Sequence, residues 1–227
     1  MSRVPKDNSV PLADVERFVR ILCHDWRNIL NGIDLHLVAV GQAGTPEELE
    51  TEIRLARTSL RDSVQRIHRV GAALSEAKVA PIAYPAAYFV EDLQTRLQKL
   101  ERYRDERFVW KIGALKGELR VDFDAMADAA AEIFENALLF SGPDTCFEVE
   151  AEAAKSEFLL RVTHFQPAPA IDPKQWGAPF VSTKPSRYGL GLYRARRLVA
   201  AHGGELNVAF DSGRSICSIR LPILTTQ

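Results

Sequence analysis

The sequence has few cysteines, no long apolar run and almost no net charge, and each shortage excludes a class of protein. Its three cysteines, Cys23, Cys146 and Cys217, lie far apart and without the spacing of metal ligands. Such a scattered, odd-numbered set is typical of reduced thiols rather than of a disulfide framework or a zinc site. No run reaches the roughly 18 apolar residues of a membrane helix, and residues 1–11 are too polar for a signal peptide. We therefore expect a cytoplasmic protein that receives its signal through a partner.

Charges of both signs are balanced, since 29 lysines and arginines face 30 aspartates and glutamates. This balance argues against the basic surface of a nucleic-acid-binding protein. The 227 residues are enough for one medium domain or two small ones, each with its own core. We predict a local, specific partner, and no binding to nucleic acid or membrane.

An apolar-periodic segment near the N-terminus carries a histidine in a polar neighbourhood. Apolar residues three and four positions apart predict one helix over about residues 12–40. They are Val15, Phe18, Leu22, Trp26, Ile29, Ile33 and Leu37. His24 lies off this seam, with Asp25 beside it and Asn28 one turn further on. A lone helical histidine is usually only solvated, but the acid and the amide beside this one indicate a chemical role.

A second helix is predicted to begin near Pro46. Thr45 suits the N-cap, Pro46 the first helical position, and Glu48 completes a capping box. A heptad pattern follows, with Ile53, Leu60, Ile67 and Leu74 on one row. Two antiparallel helices with one apolar seam each cannot enclose a core, so we predict that a second copy completes a dimeric four-helix bundle. Packing of the hairpin on the remainder of its own chain is the alternative.

The heptads end before two prolines, Pro81 and Pro85, where we place a domain boundary. The predicted parts are a flexible arm (1–11), a helical hairpin (12–77), a linker (78–86) and a second domain (87–227). In the second domain, helices are predicted at about 88–103, 123–140 and 189–202, and strands at 107–112, 118–121, 146–152, 158–164, 205–210 and 215–222. The fold class is therefore α+β, in which the hairpin is followed by an α/β sandwich with helices on one side of a mixed, mainly antiparallel sheet.

Four motifs, in order and suitably spaced, resemble those of the catalytic core of bacterial sensor histidine kinases. Residues 24–30, His-Asp-Trp-Arg-Asn-Ile-Leu, are similar to the H box, with Ile29 in place of the usual proline. Residues 132–141 resemble the N box, 179–185 the F box and start of the nucleotide lid, and 189–192 the second glycine box. The resemblance extends from Leu12 to Leu224, with no sensory domain before it. It implies a dimerisation and histidine phosphotransfer hairpin followed by an ATP-binding domain of the gyrase, Hsp90, histidine kinase and MutL type.

The resemblance also implies roles for individual side chains. His24 would be the phosphoacceptor, and Asp25 would take its proton or hold its tautomer. Arg27 would neutralise the phosphoryl group, and Asn28 would orient water for dephosphorylation. If ATP binds, Asn136 would be the Mg²⁺ ligand. The residues expected to contact the nucleotide are then Glu132, Asn136, Lys184, Gly189 and Gly191.

The chain departs from the family at the adenine-binding box. Where the family has Asp-x-Gly-x-Gly, residues 164–170 read His-Phe-Gln-Pro-Ala-Pro-Ala. A missing buried carboxylate removes a hydrogen bond to the adenine that is worth roughly 1.5–3 kcal/mol, and side chains at the glycine positions obstruct the base. Leu139, Arg187 and Tyr188 also replace residues that are usual in the family. We expect ATP binding to be weak or absent.

These features favour a histidine phosphotransferase with an eroded ATP site, exchanging phosphoryl groups between His24 and the aspartates of response regulators. It would need no cofactor beyond Mg²⁺ on the partner regulator, although ATP and Mg²⁺ stay open as ligands. The alternatives are an atypical soluble sensor histidine kinase that autophosphorylates His24 from ATP, and a non-catalytic pseudokinase scaffold. A scaffold has no need of the His24–Asp25 pair. The expected partners are receiver domains and a second copy of the chain.

Overall fold

A computed structural model describes residues 10–99, 107–142, 144–154, 156–166, 172, 175–184 and 187–224. The chain divides into two compact units. The first consists of Met1–Ser75 and Pro179–Tyr188, and the second of Glu76–Ala178 and Gly189–Gln227. The arm predicted for residues 1–11 lies outside the described residues except for its last two. The first unit is therefore discontinuous in sequence.

The first unit is built on two helices, α1 (Leu12–Gln42) and α2 (Pro46–Leu74), as the apolar periodicity predicted. The predicted cap of α2 is confirmed, because Thr45 Oγ1 accepts a hydrogen bond from the Glu48 backbone N–H at 3.2 Å. Glu48 Oε2 in turn accepts from the Gly44 N–H at 2.9 Å. Between the helices, His36 Nδ1 lies 2.7 Å from Glu52 Oε2. This part-buried pair aligns the two helices in antiparallel register.

The apolar row of α2 is poorly covered within the chain. Ile53, Leu60, Ile67 and Leu74 are 38, 55, 50 and 46% exposed. The small residues Ala56, Ser63 and Ala73 are the buried ones on this helix. Full burial of a large aliphatic side chain contributes about 1.5–3 kcal/mol, and within the chain these four side chains gain only part of that stabilisation.

In the described part of the second unit, three helices accompany a seven-stranded sheet. In chain order the elements are β1 (Ile82–Pro85), α3 (Ala86–Gln98), β2 (Phe108–Leu115), β3 (Glu118–Val121), α4 (Phe123–Phe140), β4 (Phe147–Ala154), β5 (Glu157–Phe165), α5 (Gly191–Ala201), β6 (Glu205–Asp211) and β7 (Arg214–Leu224). The strand order is β1-β3-β7-β5-β4-β2, and β6 also pairs with β7. Only the β2–β4 pair is parallel among the described strands. The sheet is thus mixed and mainly antiparallel, as predicted.

The core lies between the helices and one face of this sheet. Alternate residues of β4 and β5 are buried, which is the period of a strand with one covered face. They pack with the apolar faces of α3, α4 and α5; the largest fully buried side chains include Phe89, Leu93, Met126, Phe134, Phe147, Phe158, Ile219 and Leu221. The helices therefore cover one side of the sheet, which confirms the predicted fold class.

Several boundaries differ from those that the sequence predicted. Residues 82–85, assigned above to the linker, form strand β1, which pairs antiparallel with β3. As an edge strand, β1 tolerates Pro85, which has no N–H to donate. Helix α3 was predicted to reach residue 103, but residues 100–106 lie outside the described part, and the helix ends at Gln98. Within the described residues, no helix has both the length and the apolar character that a membrane crossing requires.

Candidate functional site

His24 lies on the surface of α1, in the middle of the helix, with 68% of its side chain exposed. Its Nδ1 atom is 3.6 Å from Asp25 Oδ1 and 3.3 Å from Asn28 Nδ2. The first distance is longer than a hydrogen bond, whereas the second is within the range of one. Both neighbours approach Nδ1, so Nε2 is the nitrogen left to react with a partner. The structure therefore brings together three of the four side chains for which the resemblance implies catalytic roles.

Arg27, the fourth, is exposed on the same helix. Among the described residues it makes no ion pair or hydrogen bond with His24 or Asp25. A side chain of this length and mobility can reach a phosphoryl group brought to the surface by a partner. Its predicted role stays a prediction.

Asp25 is far less accessible than His24, because only 19% of its side chain is exposed. Tyr188 donates its phenolic O–H to Asp25 Oδ2 at 3.0 Å. Arg66, on α2, places its guanidinium 3.9 Å from the same oxygen. The two oxygens of this carboxylate thus have different neighbours, the imidazole near Oδ1 and the hydroxyl and guanidinium near Oδ2.

Tyr188 reaches Asp25 because it packs on α1 together with Phe180. The ring of Phe18 lies 4.5 Å from that of Phe180 and 5.7 Å, edge to face, from that of Tyr188. Arg17 donates hydrogen bonds to the backbone carbonyls of Phe180 and Ser182. Phe18 is the one buried residue of α1 in the described part. This cluster places Tyr188 next to the acid that follows the histidine.

Lys184, predicted to contact a nucleotide, belongs to this same segment and lines a pocket beside α1. The pocket has a volume of about 220 Å³, and its other walls include Arg17, Phe18, Thr183 and Tyr188. Sites for drug-sized small molecules are typically about 300–1,000 Å³. The pocket is thus too small for a whole nucleotide, and Lys184 lies in the unit that contains the hairpin.

The remaining predicted ligands lie in the second unit, around α4 and the start of α5. Glu132 and Asn136 are one turn apart on α4 and are half-buried. Gly189 has φ 66°, a left-handed conformation that glycine adopts without strain. At Gly191, an added Cβ would lie 2.5 Å from Glu132 Oε2. The Glu132 carboxylate therefore sits at the N-terminal end of α5, where the helix dipole favours negative charge.

Arg194, one turn into α5, connects the same two helices. Its guanidinium lies 2.6 Å from Asp128 Oδ2 and 3.7 Å from Glu132 Oε1. These contacts hold the Glu132 carboxylate from the α5 side. No cluster of three or more histidine, cysteine, aspartate or glutamate side chains that could hold a metal ion occurs in the described part of the chain.

His164, at the end of β5, takes the position of the acid in the family's adenine box. It is 6% exposed, lies on the covered face of the sheet, and packs its ring 5.4 Å from that of Phe147. Neither ring nitrogen has a hydrogen-bond partner among the described residues. Burial lowers the pKa of His164 to about 4, while the Gln166 side chain acts in the opposite direction. The imidazole is therefore neutral at physiological pH. Residues 167–170 of the box lie outside the described residues.

Sequence reasoning missed Arg66 and did not assign Tyr188 a role at the histidine. Arg66 lies on α2 about as far from the interhelical loop as Asp25 lies on α1, so the hairpin register could have indicated it. Tyr188 is 163 positions from Asp25. No local pattern predicts such a contact.

The sequence of this chain is similar to a known protein family and to two histidine kinases. Residues 121–225 match the family described as histidine kinase-, DNA gyrase B-, and HSP90-like ATPase. The sensor protein kinase FleS of Pseudomonas aeruginosa is 30% identical over 232 residues, which cover 94% of this chain and 53% of FleS. The methanogenesis regulatory histidine kinase FilI of Methanothrix harundinacea is 24% identical over 224 residues, 90% of this chain and 24% of FilI. The chain thus spans about half or less of the length of these relatives.

A solved structure, that of histidine kinase ThkA in complex with response regulator protein TrrA, has a similar fold. It aligns with a TM-score of 0.69 over 94% of this chain and 63% of that chain. The sequence identity is 14%. At this identity the likeness concerns the fold alone.

Proposed function

We propose that this chain acts in two-component signalling and carries a phosphoryl group on His24, because its fold is similar to that of histidine kinase ThkA and residues 121–225 match the ATPase family described above. Its immediate partners are the receiver domains of response regulators, the class of protein with which ThkA was crystallised. The observation that carries this proposal is the exposed imidazole of His24, with Asp25 Oδ1 and Asn28 Nδ2 both on the Nδ1 side.

The geometry supports transfer through the other nitrogen. Nε2 of His24 attacks the phosphorus of an aspartyl phosphate on the receiver domain, the P–O bond to the aspartate breaks, and the carboxylate leaves. Asp25 stabilises the positive charge that develops on the ring, because its Oδ1 lies on the Nδ1 side. In the reverse direction a receiver aspartate attacks the phosphorus and the N–P bond breaks. Phosphoryl transfer relies mainly on positioning and charge stabilisation, so this exposed set suffices once the receiver supplies its own Mg²⁺.

We infer that ATP is not the usual donor, because two features of the second unit do not fit it. The buried imidazole of His164 supplies no negative charge for the adenine amino group, and it is neutral at physiological pH. The Glu132 carboxylate already lies at the end of α5 that would receive a phosphate. Asn136 and Gly189 do suit Mg²⁺ and phosphate, and they favour the second candidate, an atypical kinase that phosphorylates His24 from ATP.

The two candidates differ in the donor that labels the protein. Purified protein is incubated with radiolabelled ATP and Mg²⁺, or with receiver domains phosphorylated by radiolabelled acetyl phosphate. We expect label from the receiver domains alone, in an acid-labile and base-stable form typical of phosphohistidine. Labelling from ATP in the absence of any other protein would establish the kinase instead. Absence of label from every donor would indicate a non-catalytic pseudokinase scaffold.

The hairpin is proposed to dimerise through the apolar row of α2, which the chain itself leaves half exposed. A second copy would bury these side chains and complete a four-helix bundle. We expect Leu60→Glu combined with Ile67→Glu to convert a dimer to a monomer in light scattering, because each carboxylate would be desolvated at the interface. Gln65→Glu adds the same kind of charge at an exposed position off the row and should leave the dimer intact. A wild-type monomer would contradict this proposal.

A further inference from the structure

Phe180, Ser182 and Tyr188 are held on α1 by a specific set of contacts, although 163 positions separate Tyr188 from Asp25 in sequence. Phe18 is 8% exposed because the rings of Phe180 and Tyr188 cover it. Arg17 adds hydrogen bonds to the backbone of the same segment. Aromatic pairs of this geometry contribute beyond their buried area. The segment is therefore an integral part of the first unit.

The backbone of Phe180 supports the same conclusion. Its φ angle is 65°, in the left-handed region that residues with a Cβ rarely adopt. Such a conformation costs free energy and persists where surrounding contacts determine it. With this backbone conformation, the Phe180 ring contacts the ring of Phe18. Phe180 is thus held against α1 by its packing on Phe18.

The hydroxyl of Tyr188 binds one oxygen of the Asp25 carboxylate and thereby weakens the other oxygen as an acceptor for His24. Tyr188 donates to Oδ2 at 3.0 Å, a normal hydrogen bond, whereas Oδ1 stays 3.6 Å from His24 Nδ1. Burial, and then the hydrogen bond to Asp25, raise the pKa of Tyr188. The hydroxyl therefore keeps its proton and continues to donate at physiological pH. Arg66 faces the same oxygen, and together the two groups draw the negative charge of the carboxylate away from the imidazole.

Asn28 is consequently the side chain within hydrogen-bonding distance of His24 Nδ1. If the amide donates to Nδ1, as the 3.3 Å separation allows, the ring proton sits on Nε2. In that tautomer Nε2 has no lone pair available for attack on phosphorus. An Asp25 that was free to accept from Nδ1–H would favour the opposite tautomer, in which Nε2 is the nucleophile. The Tyr188 hydroxyl thus acts on the reactive nitrogen through the carboxylate between them.

We propose that Tyr188 is a positioning residue for phosphoryl transfer at His24, and that its hydrogen bond to Asp25 restrains this reaction. The proposal rests on the proposed function, since it concerns the rate at which His24 gains and loses its phosphoryl group. Loss of this hydrogen bond would leave Asp25 free to orient the imidazole. A residue from a segment that resembles a nucleotide lid thereby acts on the phosphoacceptor.

The test variant is Tyr188→Phe, which keeps the ring against Phe18 and removes only the hydroxyl. We expect the initial rate of His24 labelling from a phosphorylated receiver domain to rise about fivefold, the factor that corresponds to one net hydrogen bond. The matched control is Tyr84→Phe, because Tyr84 donates the same kind of hydrogen bond to Asp92 Oδ2, at 2.5 Å, in the second unit. That control should label at the wild-type rate. The double variant Tyr188→Phe with Asp25→Asn should lose the gain.

A second measurement does not depend on labelling. Nitrogen NMR of selectively labelled histidine reports the tautomer of His24, and Tyr188→Phe should increase the fraction with the proton on Nδ1. An unchanged tautomer ratio, or an unchanged or lower labelling rate, would overturn the proposal. If wild-type protein takes no label from any donor, the proposed function fails, while the tautomer measurement still decides whether Tyr188 acts through Asp25.

Discussion

Replacing His24 by alanine should abolish labelling from phosphorylated receiver domains, a reduction of more than about a hundredfold, as expected when a covalent nucleophile is removed. His24 is largely exposed on a long helix, and alanine has a high helix propensity, so the fold should be unaffected. Radiolabel after gel separation measures the effect, and circular dichroism checks the helix content.

The matched control is His68→Ala, since His68 is also an exposed histidine of the hairpin, on α2. This variant should label at the wild-type rate. If His24→Ala retained label, mass spectrometry of the labelled peptide would locate another acceptor, and the proposal for His24 would be wrong. Loss of label in both variants would indicate damage to the hairpin rather than removal of the nucleophile.

The second large effect concerns acid stability and arises from His164. The folded protein keeps this imidazole neutral down to a pH of about 4, whereas the unfolded chain protonates it at the usual value of 6.5. Between these values the unfolded state binds the extra proton, so the free energy of unfolding falls as the pH falls from 6.5 to 4. This stability is fully present above pH 6.5 and is lost by pH 4. The upper bound on the loss is about 3 kcal/mol.

We expect His164→Leu to remove this contribution. Urea unfolding at pH 7 and at pH 4 gives the loss for each protein, and other groups that titrate in this range affect wild type and variant alike. The wild type should lose up to about 3 kcal/mol more than the variant. The control His68→Ala should lose as much as the wild type, because its histidine is exposed. Equal losses in wild type and His164→Leu would mean that His164 is hydrogen bonded or protonated in the folded protein.

Most of the secondary structure could be predicted, because apolar spacing and capping residues are patterns of residues close together in sequence. The three-and-four spacing gave both helices of the hairpin, and Thr45 with Glu48 identified the start of α2. Asp122, which accepts a hydrogen bond from the Ala125 N–H at 3.2 Å, begins α4 at the predicted residue, Phe123. Strand β1 was not recognised because it has four residues and ends in a proline, and its pairing with β3 is a tertiary contact.

The candidate site divides in the same way. His24, Asp25 and Asn28 lie within one helical turn, so their proximity follows from helix geometry. The contacts on the other side of Asp25 could not be predicted, since Arg66 comes from the second helix and Tyr188 from far along the chain. Tyr188 stood out in the sequence only as a substitution within a glycine box. The lack of a hydrogen-bond partner for the His164 ring nitrogens among the described residues likewise depends on which side chains surround the ring in the folded core.

The discontinuity of the first unit has a consequence for the order in which this protein folds. The hairpin contacts are local and can form early, but Phe18 and Asp25 gain their covering residues only when a loop of about 160 residues closes. The entropy of closing a flexible loop of that length would be large, but prior folding of the intervening sheet domain shortens the effective loop. A fragment ending at Ser75 would therefore contain the histidine and both helices, yet would leave the Phe18 ring uncovered. It would also lack Tyr188 and the hydrogen bond that this residue donates to Asp25.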